Sequence, residues 1–438
     1  MTLERKLFGT DGVRGVAGTE LTAELALSLG RAAAREAAGD RPQVLVVRDT
    51  RESGPMLETA LAAGVAEGGG DALCAGVLPT PAASVLVRRL GLDLGAVVSA
   101  SHNPWQHNGI KFFGKDGRKL SDDLERRIEV HVTGSGAPGP SVGRVRSLEG
   151  ALDDYVRELT SKFQLDLSGC RVLLDGANGA TYRAAPIVFE RLGASVEAIG
   201  DEPDGRNINA GCGSTDPRAL TDAMREGSAH VGFAFDGDGD RVIAVDSSGE
   251  VRDGDELIAL CATHLSQTAA LAGGVVVTVM SNYGFHEAMR EAGIHVAVTP
   301  VGDRHVADQL TDRGWSLGGE QSGHIIWSEY APTGDGIAAA LLVMRALGDR
   351  DLRAAIPMRK LPQVLRNVEI ADREAVADAV AVWKAVDREN AALEGRGRVL
   401  VRSSGTEPLV RVMVEAPTEE ESKEVCDRLA DLICEELA

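Results

Sequence analysis

Short apolar runs alternate with amphipathic stretches along almost the whole chain. Segments 22–38, 55–68, 180–192, 255–270 and 334–347 have the apolar spacing of helices. The runs typical of buried strands are QVLVV (43–47), ALCAGVL (72–78), GAVVSA (95–100), RVLLD (171–175), VGFAF (231–235), VIAVD (242–246) and GVVVTVM (274–280). Such alternation predicts an α/β fold in which helices cover mixed or parallel sheets.

Breaks in this pattern divide the chain of 438 residues. At ~150 residues per domain, this length corresponds to roughly three domains, or four if one is small. The Gly/Pro/Ser-rich stretch 134–143 predicts a boundary near 150, and a second break lies near 250. RKLPQVLRNVEI (359–370) leads into a smaller last unit that ends in an acidic amphipathic helix, 418–437. We therefore expect domains at 1–150, 151–250, 251–360 and 361–438.

The charge and the cysteines narrow the range of partners and compartments. The formal net charge is −20, which disfavours nucleic acid and anionic membranes as partners. No apolar run approaches the ~18–20 residues that a membrane helix needs, and MTLERKLFGTDG lacks the apolar core of a secretory signal. The six cysteines form no CxxC pair, so a cytoplasmic protein with reduced thiols fits better than a disulfide framework or a zinc site.

The clearest candidate for chemistry is a loop in which Asp alternates with Gly. FAFDGDGDRVIAVD places Asp236, Asp238 and Asp240 between two predicted strands. Three carboxylates this close repel one another unless a cation lies among them, and the glycines let the backbone fold tightly. Hard oxygen ligands favour Mg²⁺, with Mn²⁺ as the alternative metal. A calcium EF-hand would need Gly and Glu where the chain has Arg241 and Ser247, so the alternative to a metal site is a solvated acidic turn.

A second candidate follows the predicted strand 95–100. In SASHNPWQHNGIK, Ser101 could carry a phosphoryl group beside the metal. His102 adjoins it, but neighbouring side chains of an extended segment point apart, so a Ser–His pair is not expected. The chain also has no GxSxG motif, which disfavours a Ser–His–Asp hydrolase. Lys111, after an expected turn at Asn108–Gly109, could place its ammonium group beside Ser101. The alternative for the whole segment is a strand end that turns without any chemical role.

Three further loops offer groups for anions and sugars. VLVRSSGTEPLVRVMVE (399–415) predicts two strands around a polar turn, and a plain hairpin is the alternative to an anion site there. Its donors for an anion are Arg402, Ser403, Ser404, Gly405, Thr406 and Arg411. GGEQSGHI (318–325) supplies Glu320, Ser322 and His324, a mixture of donors and acceptors that suits sugar hydroxyls. FGTDGVRG (8–15) places Arg14 on a predicted Gly-flanked turn.

Taken together, these loops resemble those of the α-D-phosphohexomutase family. FGTDGVRG, SASHNP…NGIKF, DGDGDR, GGEQSGH and RSSGTEP occur in that family's order across about the whole chain. The resemblance implies three related α/β domains with mixed sheets and a smaller C-terminal α+β domain around a central cleft. The implied domains are a phosphoserine domain (1–150), a metal-binding domain (151–250), a sugar-binding domain (251–360) and a phosphate-binding domain (361–438).

The resemblance also implies roles for individual residues. Ser101 would be the phosphoserine, and one of its oxygens would join the three carboxylates around Mg²⁺. The implied metal ligands are therefore Ser101, Asp236, Asp238 and Asp240. The other implied roles are charge positioning and proton transfer by Arg14, Lys111 and His324; binding of the reacting phosphate and sugar by His102, Arg241, Glu320 and Ser322; and binding of the untransferred phosphate by Arg402, Ser404, Gly405, Thr406 and Arg411.

Within the family, the motifs are most similar to those of bacterial enzymes that act on glucosamine phosphate. The implied reaction interconverts glucosamine 6-phosphate and glucosamine 1-phosphate through a 1,6-bisphosphate, with a hexose 1,6-bisphosphate as activator. The expected partner is a small-molecule hexosamine phosphate, and the expected state is a monomer or homodimer. A phosphomannomutase or phosphoglucomutase is the nearest alternative. A metal-dependent phosphatase is disfavoured because no dedicated water-activating base is evident beside Ser101, and an inactive binding protein is disfavoured because every expected loop is intact.

Overall fold

The computed structural model describes residues 7–9, 11–37, 39–133, 141–370, 372, 375–403 and 409–437. The strands are β1 (Val13–Val16), β2 (Gln43–Arg48), β3 (Asp71–Val77), β4 (Leu94–Val98), β5 (His107–Gly114), β6 (Val145–Ser147), β7 (Arg171–Asp175), β8 (Ser195–Ile199), β9 (Val231–Phe235), β10 (Val242–Asp246), β11 (Val251–Arg252), β12 (Val275–Thr278), β13 (Val296–Thr299), β14 (Leu317–Gly319), β15 (Ile325–Trp327), β16 (Gln363–Glu369), β17 (Arg398–Ser403) and β18 (Leu409–Glu415). The helices are α1 (Ala23–Glu36), α2 (Gly54–Glu67), α3 (Thr80–Leu90), α4 (Asp122–Thr133), α5 (Ala151–Phe163), α6 (Ala184–Arg191), α7 (Arg218–Glu226), α8 (Gly254–Gln267), α9 (Tyr283–Glu291), α10 (Asp303–Arg313), α11 (Gly336–Leu347), α12 (Leu352–Ala355), α13 (Ala375–Asp378), α14 (Val380–Ala392) and α15 (Glu419–Leu437).

The first sheet has six strands in the order β1-β5-β4-β2-β3-β6. It is mixed, because β2 is parallel to β3 and β4, whereas β5 is antiparallel to β1 and β4. All five residues of β4 are buried, as expected for a central strand that is covered on both faces. Apolar side chains of α1 and α2 pack with those of β2 in one core. The end of β4 therefore leaves a rigid layer, and Ser101 follows it.

Two further mixed sheets follow along the chain. One has the order β11-β10-β9-β7-β8, in which β7 pairs parallel with β8 and β9, and β9 and β10 form an antiparallel hairpin. Both strands of that hairpin are buried throughout, so the Asp-Gly loop between them is held at two fixed ends. The other sheet has the order β13-β12-β14-β15, with β14 and β15 antiparallel. The segment between β14 and β15 carries Glu320, Ser322 and His324.

The chain forms two compact units. One contains the three mixed sheets and extends to Met280, with Ile294–Ile356 added. The other consists of Ser281–Gly293 and the chain from Pro357 onward, and it holds the antiparallel sheet β16-β18-β17. In this second unit, the buried carboxylate of Glu415 accepts hydrogen bonds from the Tyr283 backbone N–H at 2.8 Å and from Arg398 Nε at 2.8 Å. That carboxylate joins the start of α9 to the sheet.

The predicted α/β class with mixed sheets and a smaller C-terminal α+β part is confirmed. Each strand and helix predicted from hydrophobic periodicity is present, with ends that differ by a few residues. The boundaries near 150, 250 and 360 stay predictions. All six cysteines are free thiols. Among the described helices, none combines the length and the apolar character that crossing a membrane requires.

Two local predictions are wrong, because both segments expected to turn are strands. Asn108 and Gly109 lie inside β5, and Arg14 lies in β1, where it pairs with Gly109. Gly109 is needed for close approach rather than for a turn, because a Cβ there would lie 2.6 Å from the Ser99 carbonyl oxygen. The chain reverses earlier, in residues 101–106.

Candidate active site

Ser101 has an uncommon backbone conformation near the start of the loop that follows β4. Its φ is 50°, in the left-handed region, which costs a residue other than glycine about 1–2 kcal/mol. Its side chain is buried, and Oγ donates a hydrogen bond to Asp236 Oδ2 at 2.6 Å. Strained residues of this kind occur often at active sites, where the surrounding structure holds them. The hydroxyl is thereby directed at the Asp-Gly loop.

The expectation that Ser101 and His102 point apart is wrong. The Ser101 Oγ lies 3.3 Å from His102 Nδ1, because the left-handed conformation of Ser101 replaces the extended one on which the expectation depended. Burial lowers the pKa of His102, and the nearby cations Arg241 and Arg14 lower it further. His102 is therefore a neutral imidazole at neutral pH, beside the serine hydroxyl.

The three Asp side chains of the loop between β9 and β10 converge. Asp236, Asp238 and Asp240 are all buried, and one carboxylate oxygen of each lies within 4.8 Å of the others. Burial raises the pKa of Asp236 well above its usual value, and the charges of Asp240 and Asp238 raise it further. Such an arrangement is unfavourable for three bare carboxylates, since buried like charges repel one another.

The donor set fits a hard divalent cation. Asp238 Oδ1 and Asp240 Oδ1 are buried and accept no hydrogen bond from any described residue. Buried polar atoms are normally hydrogen-bonded, so two unpartnered carboxylate oxygens in one cluster call for a ligand. Carboxylate oxygens are the ligands that Mg²⁺ and Mn²⁺ prefer. Asp236, Asp238 and Asp240 could therefore hold a metal ion, with the Ser101 oxygen beside them.

Lys111 extends from β5 to the same cluster. Its Nζ lies 2.7 Å from Asp238 Oδ2 and 3.9 Å from Asp240 Oδ2. Burial alone would lower the pKa of Lys111, but the carboxylates of Asp11, Asp238 and Asp240 outweigh it and raise the pKa. Burial would likewise raise the pKa of Asp238, but Lys111 and a hydrogen bond from Thr80 hold it below its usual value. The pair is therefore charged.

Backbone and hydroxyl groups fix the loop from two sides. Thr80, at the start of α3, donates through Oγ1 to Asp238 Oδ2 at 2.6 Å, and its backbone N–H donates to the Asp238 carbonyl oxygen. Asp236 Oδ1 accepts the N–H groups of Gly239 at 3.1 Å and Arg241 at 3.2 Å. These bonds orient the carboxylates before any ligand arrives. No local pattern indicated Thr80, because its partner is 158 positions away.

His324 and Glu320 lie at the ends of the segment between β14 and β15. His324 is buried; the Gly334 N–H donates to its Nε2 at 3.2 Å, and its Nδ1 lies 3.7 Å from Asp240 Oδ2. The bond from Gly334 favours the ring proton on Nδ1, facing Asp240. Burial would lower the pKa of His324, but Asp240 outweighs it, so the pKa is raised. Glu320 Oε1 accepts the Gly302 N–H at 3.0 Å, which orients its carboxylate.

A cavity of about 570 Å³ joins seven of the predicted residues. Among its lining residues are Arg14, Ser101, His102, Asp240, Arg241, Glu320 and His324. Its size suits a small ligand such as a sugar phosphate. Ser322 is exposed and is not among the residues that line the cavity, so the structure does not bring it together with the others.

Sequence reasoning missed an ionic network beside this cavity. Asp11 pairs with Arg14 and, through Oδ1, with Lys119 Nζ at 2.5 Å. Lys119 also pairs with Asp303 Oδ2 at 2.5 Å, and that oxygen lies 3.9 Å from His324 Nε2. Asp11 stands inside the motif FGTDGVRG and could have been noticed there. Lys119 and Asp303 carry no local signal, because only the packing of distant segments brings them together.

The second unit holds the other predicted anion-binding residues. Arg402 on β17 and Arg411 on β18 are cross-strand partners. Burial lowers the pKa of Arg402, and the like charge of Arg411 lowers it further. Two guanidinium groups on adjacent strands repel each other, and an anion would relieve that repulsion. Ser404, Gly405 and Thr406 lie outside the described residues.

Models of one protein family match most of the chain. They are phosphoglucomutase/phosphomannomutase α/β/α domain I at residues 5–137, domain II at 153–249, domain III at 253–363 and the C-terminal domain at 365–432. Among curated relatives, the chain is 52% identical to a phosphoglucosamine mutase of Desulforudis audaxviator, with 98% of each chain covered.

Solved structures of the same kind have a similar fold. A phosphoglucomutase/phosphomannomutase family protein from Burkholderia thailandensis superposes with a TM-score of 0.82 at 25% identity, covering 98% of both chains. An N-acetylphosphoglucosamine mutase from Aspergillus fumigatus, in complex with GlcNAc-6P and magnesium, gives a TM-score of 0.71 at 17% identity, covering 99% of this chain and 96% of that one. Since all four domain models match in order, this chain belongs to the phosphoglucomutase/phosphomannomutase family of α-D-phosphohexomutases.

Proposed function

We propose that the chain interconverts glucosamine 6-phosphate and glucosamine 1-phosphate by moving a phosphoryl group on and off Ser101. The observation that carries this proposal is the 2.6 Å hydrogen bond from Ser101 Oγ to Asp236, at a buried carboxylate cluster with two unpartnered oxygens. A serine hydroxyl needs activation or charge neutralisation to exchange a phosphoryl group. The cluster supplies a place for that neutralisation directly beside the hydroxyl.

Asp236, Asp238, Asp240 and the Ser101 oxygen would hold Mg²⁺, with Mn²⁺ as the alternative. When bound, such a cation neutralises charge on phosphoryl oxygens. The chain adds fixed cations around the same place. Lys111 stays protonated because three carboxylates raise its pKa, and Arg14 and Arg241 line the cavity. These three side chains would offset the negative charge of the phosphoryl group in a protein whose net charge is −20.

The transfer breaks the phosphorus–oxygen bond to Ser101 and forms one to a sugar hydroxyl. The sugar hydroxyl loses its proton and the freed Ser101 oxygen gains one, so no proton is gained or lost overall. We assign movement of that proton to His324, whose pKa is raised by Asp240 and whose ring lines the cavity. Neutral His102, 3.3 Å from Ser101 Oγ, would donate a hydrogen bond to a phosphoryl oxygen. Glu320, fixed by the Gly302 N–H, would accept a hydrogen bond from the sugar's 3- or 4-hydroxyl.

The product of the first transfer would be a 1,6-bisphosphate, which turns end for end before its other phosphoryl group returns to Ser101. We assign the phosphate that is not being transferred to Arg402 and Arg411, together with Ser404, Gly405 and Thr406, which lie between them in the sequence. If the intermediate escapes, Ser101 is left without its phosphoryl group. Turnover would therefore depend on a trace of hexose 1,6-bisphosphate as activator.

The choice of an amino sugar is supported by the name of the 52% identical relative and by the net charge of −20, which suits a ligand that carries an ammonium group at carbon 2. The distinction from glucose or mannose phosphates rests on one substituent, which is worth only a few kcal/mol.

A substrate panel tests the proposal. The 1-phosphates of glucosamine, glucose and mannose are compared in coupled assays, with inorganic phosphate measured in parallel. We expect kcat/KM for the glucosamine phosphate to be higher than for the others by ~10-fold or more, about 1.4 kcal/mol. Faster turnover of glucose or mannose phosphate would reassign the substrate. Phosphate release without isomerisation would show that the protein is a phosphatase and not a mutase.

A further inference from the structure

Side chains outside the proposed reaction hold the backbone of Ser101 at both of its polar groups. The Ser101 N–H donates to Ser99 Oγ at 3.0 Å. The Ser101 carbonyl oxygen accepts hydrogen bonds from Arg51 Nη2 at 2.7 Å and from Asn209 Nδ2 at 3.0 Å. Ser101 thus has partners at its N–H, its carbonyl oxygen and its hydroxyl.

Arg51 binds the whole loop that follows. Its side chain is 0% exposed, and Nη1 donates to the carbonyl oxygens of Pro104 at 2.6 Å and His107 at 3.0 Å. Nη2 donates to the Asn103 carbonyl at 2.8 Å as well as to that of Ser101. A guanidinium has five N–H donors in a planar fork. Four hydrogen bonds of Arg51 go to carbonyl oxygens of this one short segment. One side chain therefore fixes the path of residues 101–107.

Asp49 connects the two sets of contacts. It follows β2 and its side chain is fully buried. Oδ2 accepts a hydrogen bond from Arg51 Nε at 2.8 Å, and Oδ1 accepts one from the Arg51 backbone N–H at 3.0 Å. Its Oδ2 also accepts from Ser99 Oγ at 2.5 Å. The Asp49 carboxylate therefore orients both the Ser99 hydroxyl, which binds the Ser101 N–H, and the Arg51 guanidinium, which binds the Ser101 carbonyl oxygen. A lysine could not supply this geometry, since an ammonium lacks the planar fork.

The metal-binding loop packs directly against this arrangement. A Cβ on Gly237 would lie 2.7 Å from both the Ser101 carbonyl oxygen and Asn209 Nδ2. Gly237 is therefore required for the loop to approach the held carbonyl. A shift of the Ser101 backbone would change the distance from its hydroxyl to Asp236.

We propose that Asp49, Arg51, Ser99 and Asn209 form a positioning cluster that keeps Ser101 in its left-handed conformation and so directs its oxygen at Asp236. A left-handed serine persists only where surrounding groups over-determine it, and this cluster supplies those groups. None of the four is among the cavity-lining residues of the described chain. They are positioning residues: they act on the rate of transfer, and they leave sugar binding unchanged. The inference rests on the proposed function in taking Ser101 as the phosphoryl carrier.

Three single substitutions test the cluster. Ser99→Ala removes the hydroxyl that accepts the Ser101 N–H. Asn209→Gly removes one donor to the Ser101 carbonyl oxygen, and glycine still suits the φ of 57° at position 209. Arg51→Lys removes the planar guanidinium. The matched control is Arg345→Lys, because Arg345 also donates to backbone carbonyls, those of Lys162 and Phe163, but lies outside this loop. The thermal unfolding midpoint, kcat and KM are measured for all four variants with the Mg²⁺-loaded full chain.

We expect kcat to fall by about 10- to 100-fold in each cluster variant, because a shift of a reacting group by about 1 Å has an effect of this size. KM should change by less than about 2-fold. Arg345→Lys should keep the wild-type kcat. If Arg51→Lys does not fold, Ser99→Ala and Asn209→Gly decide alone. Wild-type kcat in those two folded variants, or a change confined to KM, would overturn the inference. Failure of the proposed function would instead be seen in the wild-type protein, as the absence of turnover and of phosphate on Ser101.

Discussion

Lys111 and Asp238 form a buried ion pair in which Nζ lies 2.7 Å from Oδ2. The lysine comes from β5 of the first sheet and the aspartate from the loop after β9, so the pair joins two sheets within the first unit. The other carboxylate oxygen, Asp238 Oδ1, accepts no hydrogen bond from the described residues. Asp238 can therefore bind the lysine through one oxygen and a metal ion through the other.

Removal of the lysine should have opposite effects on rate and on metal binding. In Lys111→Met, we expect kcat to fall by about 100-fold, the scale seen when one electrostatic donor is lost. Mg²⁺ should bind more tightly, because no ammonium charge repels the cation beside Asp238. Loss of one partner of a buried pair costs about 3–5 kcal/mol, so the unfolding midpoint should fall in chelator and recover with Mg²⁺. Calorimetric titration and thermal unfolding measure both effects.

The exposed Lys115 provides the control. Lys115→Met should behave as wild type in all three measurements. Near-wild-type turnover of Lys111→Met would show that the ion pair is structural only.

Metal removal should abolish turnover. Excess chelator should stop the reaction and Mg²⁺ should restore it, while Zn²⁺ should support weaker turnover because it prefers tetrahedral coordination. Asp238→Asn should weaken Mg²⁺ binding by at least about 10-fold, about 1.4 kcal/mol, with the exposed Asp116→Asn as its control. Full activity in excess chelator would show that the reaction needs no metal ion.

Glu320 should matter for every hexose phosphate. Glu320→Ala should raise KM or lower kcat, because a sugar hydroxyl and the Gly302 N–H both lose their acceptor. Glu320→Gln keeps an acceptor for Gly302 and removes only the charge. If the carboxylate binds a hydroxyl, this variant should reduce kcat/KM similarly for glucosamine and glucose phosphates. A loss confined to the amino sugar would instead mean that Glu320 binds the ammonium group.

Asp335 should make stability depend on pH. It caps α11 by accepting the Ala338 N–H at 3.0 Å, and it accepts the Tyr155 hydroxyl at 2.8 Å. Burial raises the pKa of Asp335 to about 6, whereas the pKa in the unfolded chain is about 4. The folded state thus holds the proton between these values, and stability falls as pH rises from about 4 to about 6, by roughly 3 kcal/mol.

Asp335→Asn removes this titration. Its unfolding midpoint relative to wild type should therefore rise between pH 4 and pH 7. Asp349→Asn, at an exposed position, should show no such trend. A constant difference between Asp335→Asn and wild type across this range would contradict the raised pKa.

Local sequence patterns predicted those features that depend on neighbouring residues. Hydrophobic periodicity placed β4 and the hairpin of β9 and β10, and the Asp-Gly spacing predicted the convergent carboxylates. The pattern failed where distant packing decides conformation. Gly109 was expected in a turn, but it lies in β5, where the absence of a side chain lets the Ser99 carbonyl oxygen approach closely. The left-handed Ser101 and its contact with His102 depend on Arg51, whose role no local pattern indicates.

Intact mass spectrometry shows whether Ser101 carries the transferred phosphoryl group. The Mg²⁺-loaded protein is treated with glucose 1,6-bisphosphate, freed of it, and then mixed with glucosamine 6-phosphate. We predict a gain of ~80 Da in the first step and its loss in the second, with neither change in Ser101→Ala. No gain in the wild-type protein, or the same gain in Ser101→Ala, would show that Ser101 does not carry the phosphoryl group.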